Sequence, residues 1–162
     1  MSSARVGEIL RLLVAGEVEF IVVGMAAGVL QGAPVSTIDL DIVHRRSPEN
    51  VARLLRVLGR LDAVYRHDAR GLRPQESHLS SPGHQLLRTN HGDLDCLGAI
   101  DDGKGYEDLL ESTRQMDLGD GRNARVLGLA ALIEIKQRAG RPKDLAALPA
   151  LRATLEEVER RS

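Results

Sequence analysis

The sequence predicts an α+β domain with α/β character: a small mixed β-sheet flanked by helices. Three observations point there. Apolar residues recur with helical spacing near both ends of the 162-residue chain. Between those ends lie short β-branched runs and stretches in which apolar and polar residues alternate. Glycine and proline punctuate the junctions. No repeat, low-complexity tract or linker divides the chain, so one domain over residues 1–162 is expected, with a core over about 18–127 and a helical segment over about 128–162.

Residues 4–16 carry apolar Val6, Ile9, Leu10, Leu12, Leu13 and Val14 with helical period and one stripe, and Gly16 can stop that helix. Residues 19–23 read as a buried strand, and Gly24–Leu30 as a short helix of small residues. Gln31–Ser36 holds Gly32 and Pro34 and reads as a loop. Thr37–Val43 alternates Ile38, Leu40 and Ile42 against Thr37, Asp39, Asp41 and Val43, which is strand periodicity. Ser47-Pro48-Glu49 is a strong helix start, and Gly59 is expected to end that helix at about Leu58. Short strands are expected at 63–65, 77–79 and 85–89, with an exposed loop over 68–75. Asp93–Leu97 alternates again after Gly92, and a short helix follows near 106–111. Strands near 116–118 and 124–126 flank Gly119-Asp120-Gly121, a hairpin turn. Leu129–Ala139 is an apolar helix ending at Gly140, and Pro142 opens a final helical region that Pro149 should kink or divide.

Composition narrows the class. Hydrophobic content is 43% and charged content 28%, as in ordinary globular domains. No apolar run approaches the roughly 20 residues of a membrane helix, and the N-terminus shows no compact apolar signal core. One cysteine, Cys96, excludes an internal disulfide and fits a reducing cytoplasm. A net charge of −1 and only 2% aromatic residues give no global signature of nucleic-acid binding. The five histidines show no zinc-ligand spacing. His44 lies at a strand end, where it is either solvated or close to a site; Arg45-Arg46 reads as a solvated loop or a contact for a polyanion. Cys96 reads as core.

The candidate chemistry rests on aspartates. Asp39 and Asp41 are two apart on a strand, so they point to one side. At about 5 Å and an effective dielectric of 20, such charges repel by roughly 3 kcal/mol. A cation, solvent or a shared proton must offset that. Mg²⁺ is commonly held by one or two carboxylates plus substrate phosphates. Asp93 and Asp95 repeat the spacing. With 12 aspartates in the chain, roughly one such pair arises by chance, and a solvated strand face fits the spacing equally well. Gly24, between a strand and a helix, lets a phosphate approach free backbone N–H groups, or serves tight packing. Only three of the 22 basic residues are lysine, and two of them, Lys136 and Lys143, lie close together near the C-terminus.

Taken together, Gly24-Met25, Thr37-Ile38-Asp39-Leu40-Asp41, Gly92-Asp93-Leu94-Asp95 and Lys136 with Gly140-Arg141-Pro142-Lys143-Asp144 resemble the nucleotidyltransferase superfamily related to DNA polymerase β. More narrowly, they resemble small bacterial nucleotidyltransferases of the AbiEii type, known as toxins of toxin–antitoxin systems. The resemblance spans about residues 18–150. Met25 stands where the family usually has a small residue, Val35 where it often has arginine, and the extra helical domain of larger members is not expected here.

The resemblance implies transfer of a nucleoside monophosphate from an NTP such as ATP to an acceptor hydroxyl, in a cytoplasmic protein. It implies Asp39, Asp41 and Asp95 as ligands of Mg²⁺ or Mn²⁺, with Asp95 alternatively the base. Asp39, Asp41, Asp95 and Lys136 are the implied catalytic residues, and Gly24, Met25, Thr37, Lys136 and Arg141 the implied nucleotide contacts. The acceptor would be tRNA, a protein or a small molecule, and an antitoxin or partner subunit could restrain the activity. The alternatives are a degenerate relative that binds nucleotide or a partner without turnover, and a purely structural subunit.

Overall fold

The computed structural model describes residues 3–34 and 39–162. Thr37 and Val35 lie outside them. Seven strands form one sheet: β1 (Phe20–Val23), β2 (Asp39–His44), β3 (Val64–Tyr65), β4 (His84–Thr89), β5 (Gly92–Leu97), β6 (Thr113–Gly119) and β7 (Arg122–Leu127). Their order is β3-β4-β5-β2-β1-β7-β6. The sheet is mixed, as the sequence predicts: β2 runs parallel to β5 and β1 to β7, and the other neighbours are antiparallel. The central strands β1, β2 and β5 carry the buried residues Ile21, Val22, Leu40, Ile42, Leu94 and Cys96. Burial on both faces explains why β1 is a continuous apolar run rather than an alternating one.

Helices α1 (Ser3–Ala15), α3 (Pro48–Arg60) and α4 (Glu76–Ser80) pack against one another and the sheet. Helices α2 (Gly24–Leu30), α6 (Leu129–Ala139) and α7 (Pro142–Arg161) form a second group. A short helix, α5 (Tyr106–Leu109), continues into a 3-10 turn over Leu110–Ser112. In the second group α2 is the bridge. A Cβ on Gly28 would stand 2.8 Å from Leu151 Cδ2 of α7 and 3.5 Å from Leu132 Cδ2 of α6, so glycine there permits close helix packing. Gln31, expected in a loop, is buried and caps this corner. Its Nε2 donates to the Ala27 carbonyl at 2.9 Å and to the Leu127 carbonyl of β7 at 2.8 Å. No helix among the described residues is long and apolar enough to cross a membrane.

Three expectations are corrected. Residues 77–79 are not a strand but part of α4, because Gln75 and His78 cap the turn reciprocally and Leu79 is buried beneath it. Helix α3 does not stop at Gly59. It runs to Arg60, and Asp62 makes the left-handed turn (φ 51°), with the Ala63 N–H returning to the Leu58 carbonyl at 3.0 Å. Pro149 neither divides nor ends α7, which is continuous over 20 residues. Leu148 and Leu151, on either side of it, are both buried, and Leu145, whose carbonyl loses its partner, is exposed to water.

Candidate active site

The register of β2 on β5 sets Asp39 beside Asp93 and Asp41 beside Asp95, and β1 sets Val23 beside Asp41. The two acidic pairs that the sequence places on separate strands are therefore one patch. Gly24 follows Val23 with φ +64°, a left-handed conformation that favours glycine. A Cβ at this position would lie 2.7 Å from Asp41 Oδ2. The glycine thus makes room for a carboxylate, whatever it does for a ligand.

Asp41 carries the most perturbed chemistry of the patch. Its Oδ1 is buried without a hydrogen-bond partner. Burial pushes its pKa up to about 7; the Asp95 charge, a hydrogen bond to Asp95 and the Asp39 charge add to the rise, and Arg66 opposes it. At neutral pH the carboxyl is therefore poised between its two protonation states. Asp95 is gripped instead by Arg66, through Nη1 to Oδ1 at 2.5 Å and Nη2 to Oδ2 at 3.3 Å.

On the facing wall, Lys136 of α6 reaches Asp144 Oδ1 at 3.4 Å, and Arg141 Nε donates to Asp144 Oδ2 at 2.6 Å. Asp144 is only 2% exposed. Burial alone would raise its pKa, but Arg141 and then Lys136 outweigh it and hold the carboxyl below its ordinary range. Arg141 also approaches Asp101 Oδ2 at 3.5 Å.

These walls enclose a cleft of about 730 Å³ lined by Gly24, Met25, Asp39, Asp41, Asp95, Lys136 and Arg141. Apart from Thr37, which lies outside the described residues, every site residue expected from the sequence faces this one space. Lys143 and Asp144 line it too. The structure adds His84, Asp101, Asp102 and Arg138 to the lining, and Arg66 behind Asp95. Nothing local in the sequence marks Arg66. It lies 29 residues from Asp95 and reaches it only through the β3–β4–β5 pairing. His44 is neither solvated nor in the cleft. It is fully buried on the opposite face of β2, with Nε2 on the Leu79 carbonyl of α4 at 2.7 Å. Arg45 pairs with Glu19 and Glu107 and stacks over Tyr106, so it is committed to the fold rather than to a polyanion. Cys96 is core, as expected.

Among the described residues, no group of three or more His, Cys, Asp or Glu side chains is arranged to hold a metal ion. A site of two carboxylates completed by phosphate oxygens and water is a different matter, and it is the form Mg²⁺ commonly takes. Asp39 and Asp41 fit it. Both line the cleft, and the buried, partnerless Asp41 Oδ1 is the kind of acceptor a hard cation satisfies.

The mixed sheet flanked by helices is the fold of solved nucleotidyltransferases. The chain superposes on the lincomycin-bound lincosamide antibiotic adenylyltransferase LnuA with a TM-score of 0.66 at 16% identity, covering 95% of this chain and 98% of that one. It superposes on ANT(2″)-Ia, in complex with adenylyl-2″-tobramycin, with a TM-score of 0.61 at 17% identity over 96% and 91% of the two chains. A candidate nucleotidyltransferase from Thermotoga maritima, TM1012, gives 0.59 at 20% identity over 97% and 96%. No family's sequence profile matches the chain, and no curated protein does.

Proposed function

We infer that the protein is a nucleotidyltransferase that moves a nucleoside monophosphate from an NTP to an acceptor hydroxyl. The observation that carries this reading is the division of the cleft. Its sheet side is acidic, with Asp39, Asp41 and Asp95, and the α6–α7 wall is net basic, with Lys136, Arg138, Arg141 and Lys143 against one buried carboxylate, Asp144. A triphosphate carrying a divalent cation complements both sides at once. Asp39 and Asp41 would hold Mg²⁺ or Mn²⁺, which when bound neutralises charge on the phosphates and on the departing pyrophosphate. Lys136 and Arg141 would neutralise the triphosphate tail from the other wall, Gly24 and Met25 would border it, and Thr37 would adjoin the acids. Asp95 would orient the acceptor hydroxyl and take its proton. Such transfer depends mainly on positioning and electrostatics, which this cleft supplies.

The fold relatives include proteins bound to lincomycin and to adenylylated tobramycin, so a hydroxylated small molecule is one acceptor class. A toxin of the AbiEii type, acting on tRNA or protein and restrained by an antitoxin, uses the same chemistry. The test is incubation of the full chain with Mg²⁺, each α-labelled NTP, and in turn tRNA, protein and hydroxylated antibiotics. Label should enter one acceptor class, and Asp41→Asn should reduce transfer by about 10²–10³-fold, the scale of a lost electrostatic group. Met25 in the cleft favours a second reading, a nucleotide-binding protein without turnover. Calorimetric binding of NTP with no transfer to any acceptor would select it, and absence of binding would sink both.

A further inference from the structure

Both oxygens of Asp95 are committed to a cation of the protein itself. Arg66 is not a wandering surface arginine. Its backbone N–H donates to the Leu86 carbonyl at 3.2 Å, and its Nη1 donates to the Leu87 carbonyl at 3.1 Å as well as to Asp95. Its Nε stands 3.8 Å from Asp93 Oδ2. The guanidinium and the Asp95 carboxylate are 17% and 14% exposed, so water screens the pair little. Arg66 is therefore in direct contact with the Asp93–Asp95 half of the patch and anchored to β4 at two points, while its charge reaches Asp41 and Asp39 only at longer range. The Asp39–Asp41 half lines the open cleft, and there Asp41 Oδ1 lacks a partner.

Two-metal sites need carboxylates that bridge or flank both ions. Here one half of the acidic patch is already neutralised by a fixed guanidinium, which would also repel a divalent ion brought to Asp95. Resting on the cation reading above, we propose that Arg66 takes, beside Asp95, the place of a second cation, so that the site binds a single divalent ion at Asp39 and Asp41. Arg66 is then a positioning residue. It fixes Asp95 where the acceptor hydroxyl must arrive and keeps that carboxylate out of the metal shell.

The test counts ions rather than turnovers. Mn²⁺ is titrated into the full chain with a non-hydrolysable α,β-methylene ATP, by calorimetry and by electron paramagnetic resonance. The wild type should bind one Mn²⁺ per chain with an uncoupled spectrum, and Asp95→Asn should still bind one. Asp41→Asn should lose it. Arg66→Gln should admit a second Mn²⁺ and show a magnetically coupled pair, whereas Arg66→Lys should stay at one. Two Mn²⁺ on the wild type, or a fall from two to one with Asp95→Asn, overturns the proposal without touching the proposed function. A single Mn²⁺ on a folded Arg66→Gln variant overturns it as well. If the wild type binds nucleotide analogue and no Mn²⁺, the cation reading itself falls and this inference falls with it. Should Arg66→Gln fail to fold, a wild type that binds two Mn²⁺ still overturns the proposal.

Discussion

Gly24 and Asp41 constrain each other, and the consequences can be measured at single residues. Gly24→Ala would place a Cβ 2.7 Å from Asp41 Oδ2 on a backbone with φ +64°. The left-handed conformation alone costs about 1–2 kcal/mol, and the carboxylate must also move. We expect a melting temperature lower by a few degrees and loss of Mn²⁺ binding; unchanged binding would show that the glycine is not needed to seat Asp41. Asp41 also sets a pH dependence. Its pKa of about 7 lies above the ordinary aspartate value of 3.8, so its contribution to stability is full below about 4 and is lost as pH rises through about 7. An asparagine keeps the donor toward Asp95 and removes the charge. Asp41→Asn should therefore be more stable than wild type at pH 8 by roughly 1–3 kcal/mol, about 2–4 °C in melting temperature per kcal/mol, and equal to it near pH 4. His44 has the opposite sign. Burial lowers its pKa from 6.5; the Leu79 carbonyl opposes and Arg46 adds to the lowering, while Nδ1 has no partner. Its contribution is full above about 6.5 and is lost as pH falls below that. His44→Gln, which keeps a donor for the Leu79 carbonyl, should flatten the loss of stability between pH 7.5 and 5, and a curve as steep as wild type would assign that loss elsewhere.

The α6–α7 corner separates a stabilising role from a binding role among elements. Asp144 is buried at the start of α7 and ties Lys136 of α6 to Arg141. Asp144→Ala removes two charge-assisted bonds and should lower stability by about 2–3 kcal/mol, read by urea denaturation. Lys136→Met leaves Asp144 its stronger partner, Arg141. It should cost less than 1 kcal/mol in the same assay yet weaken NTP affinity severalfold or more. Equal loss of stability in both variants would make Lys136 a structural residue only. This corner also shows what the sequence discloses. Gly140 takes the left-handed helix-end conformation expected of it (φ 65°), and Pro142 opens α7, because both signals are local. The same holds for the Asp39–Asp41 alternation and for the hairpin turn joining β6 to β7. Burial of Asp144, continuity of α7 through Pro149, and capping of α4 by Gln75 and His78 depend on partners brought by folding. Arg66 is the extreme case, since only the pairing of β3 with β4 and of β4 with β5 carries it to Asp95. The acids of the cleft sit on strongly patterned strands and Gly24 opens α2 directly after one, whereas Arg66 follows the two-residue strand β3.

At the scale of the whole molecule, the cleft is built from both ends of the chain. Its acidic side comes from β2 and β5, and its basic wall from α6 and α7, more than 90 residues after Asp41. The wall is joined to the sheet through α2, where Gly28 meets Leu132 and Leu151 and Gln31 bonds to the Leu127 carbonyl. A ligand that spans the cleft therefore bonds groups that separate on unfolding, and it binds only the native state. Linkage then gives about 2.7 kcal/mol of stabilisation at a free ligand concentration 100 times Kd. For a domain of this size that corresponds to about 5–10 °C in melting temperature. Non-hydrolysable NTP with Mg²⁺ should produce such a shift. NTP with chelator should give a smaller one, because the triphosphate then meets Asp39 and Asp41 without an intervening cation. Hydrogen exchange in the ternary state should slow in α6 and the first turns of α7 as well as in β2, since the bound triphosphate would tie the two walls together. Slowing confined to β2 would mean that the nucleotide does not reach Lys136 and Arg141, and the basic wall would then belong to the acceptor instead.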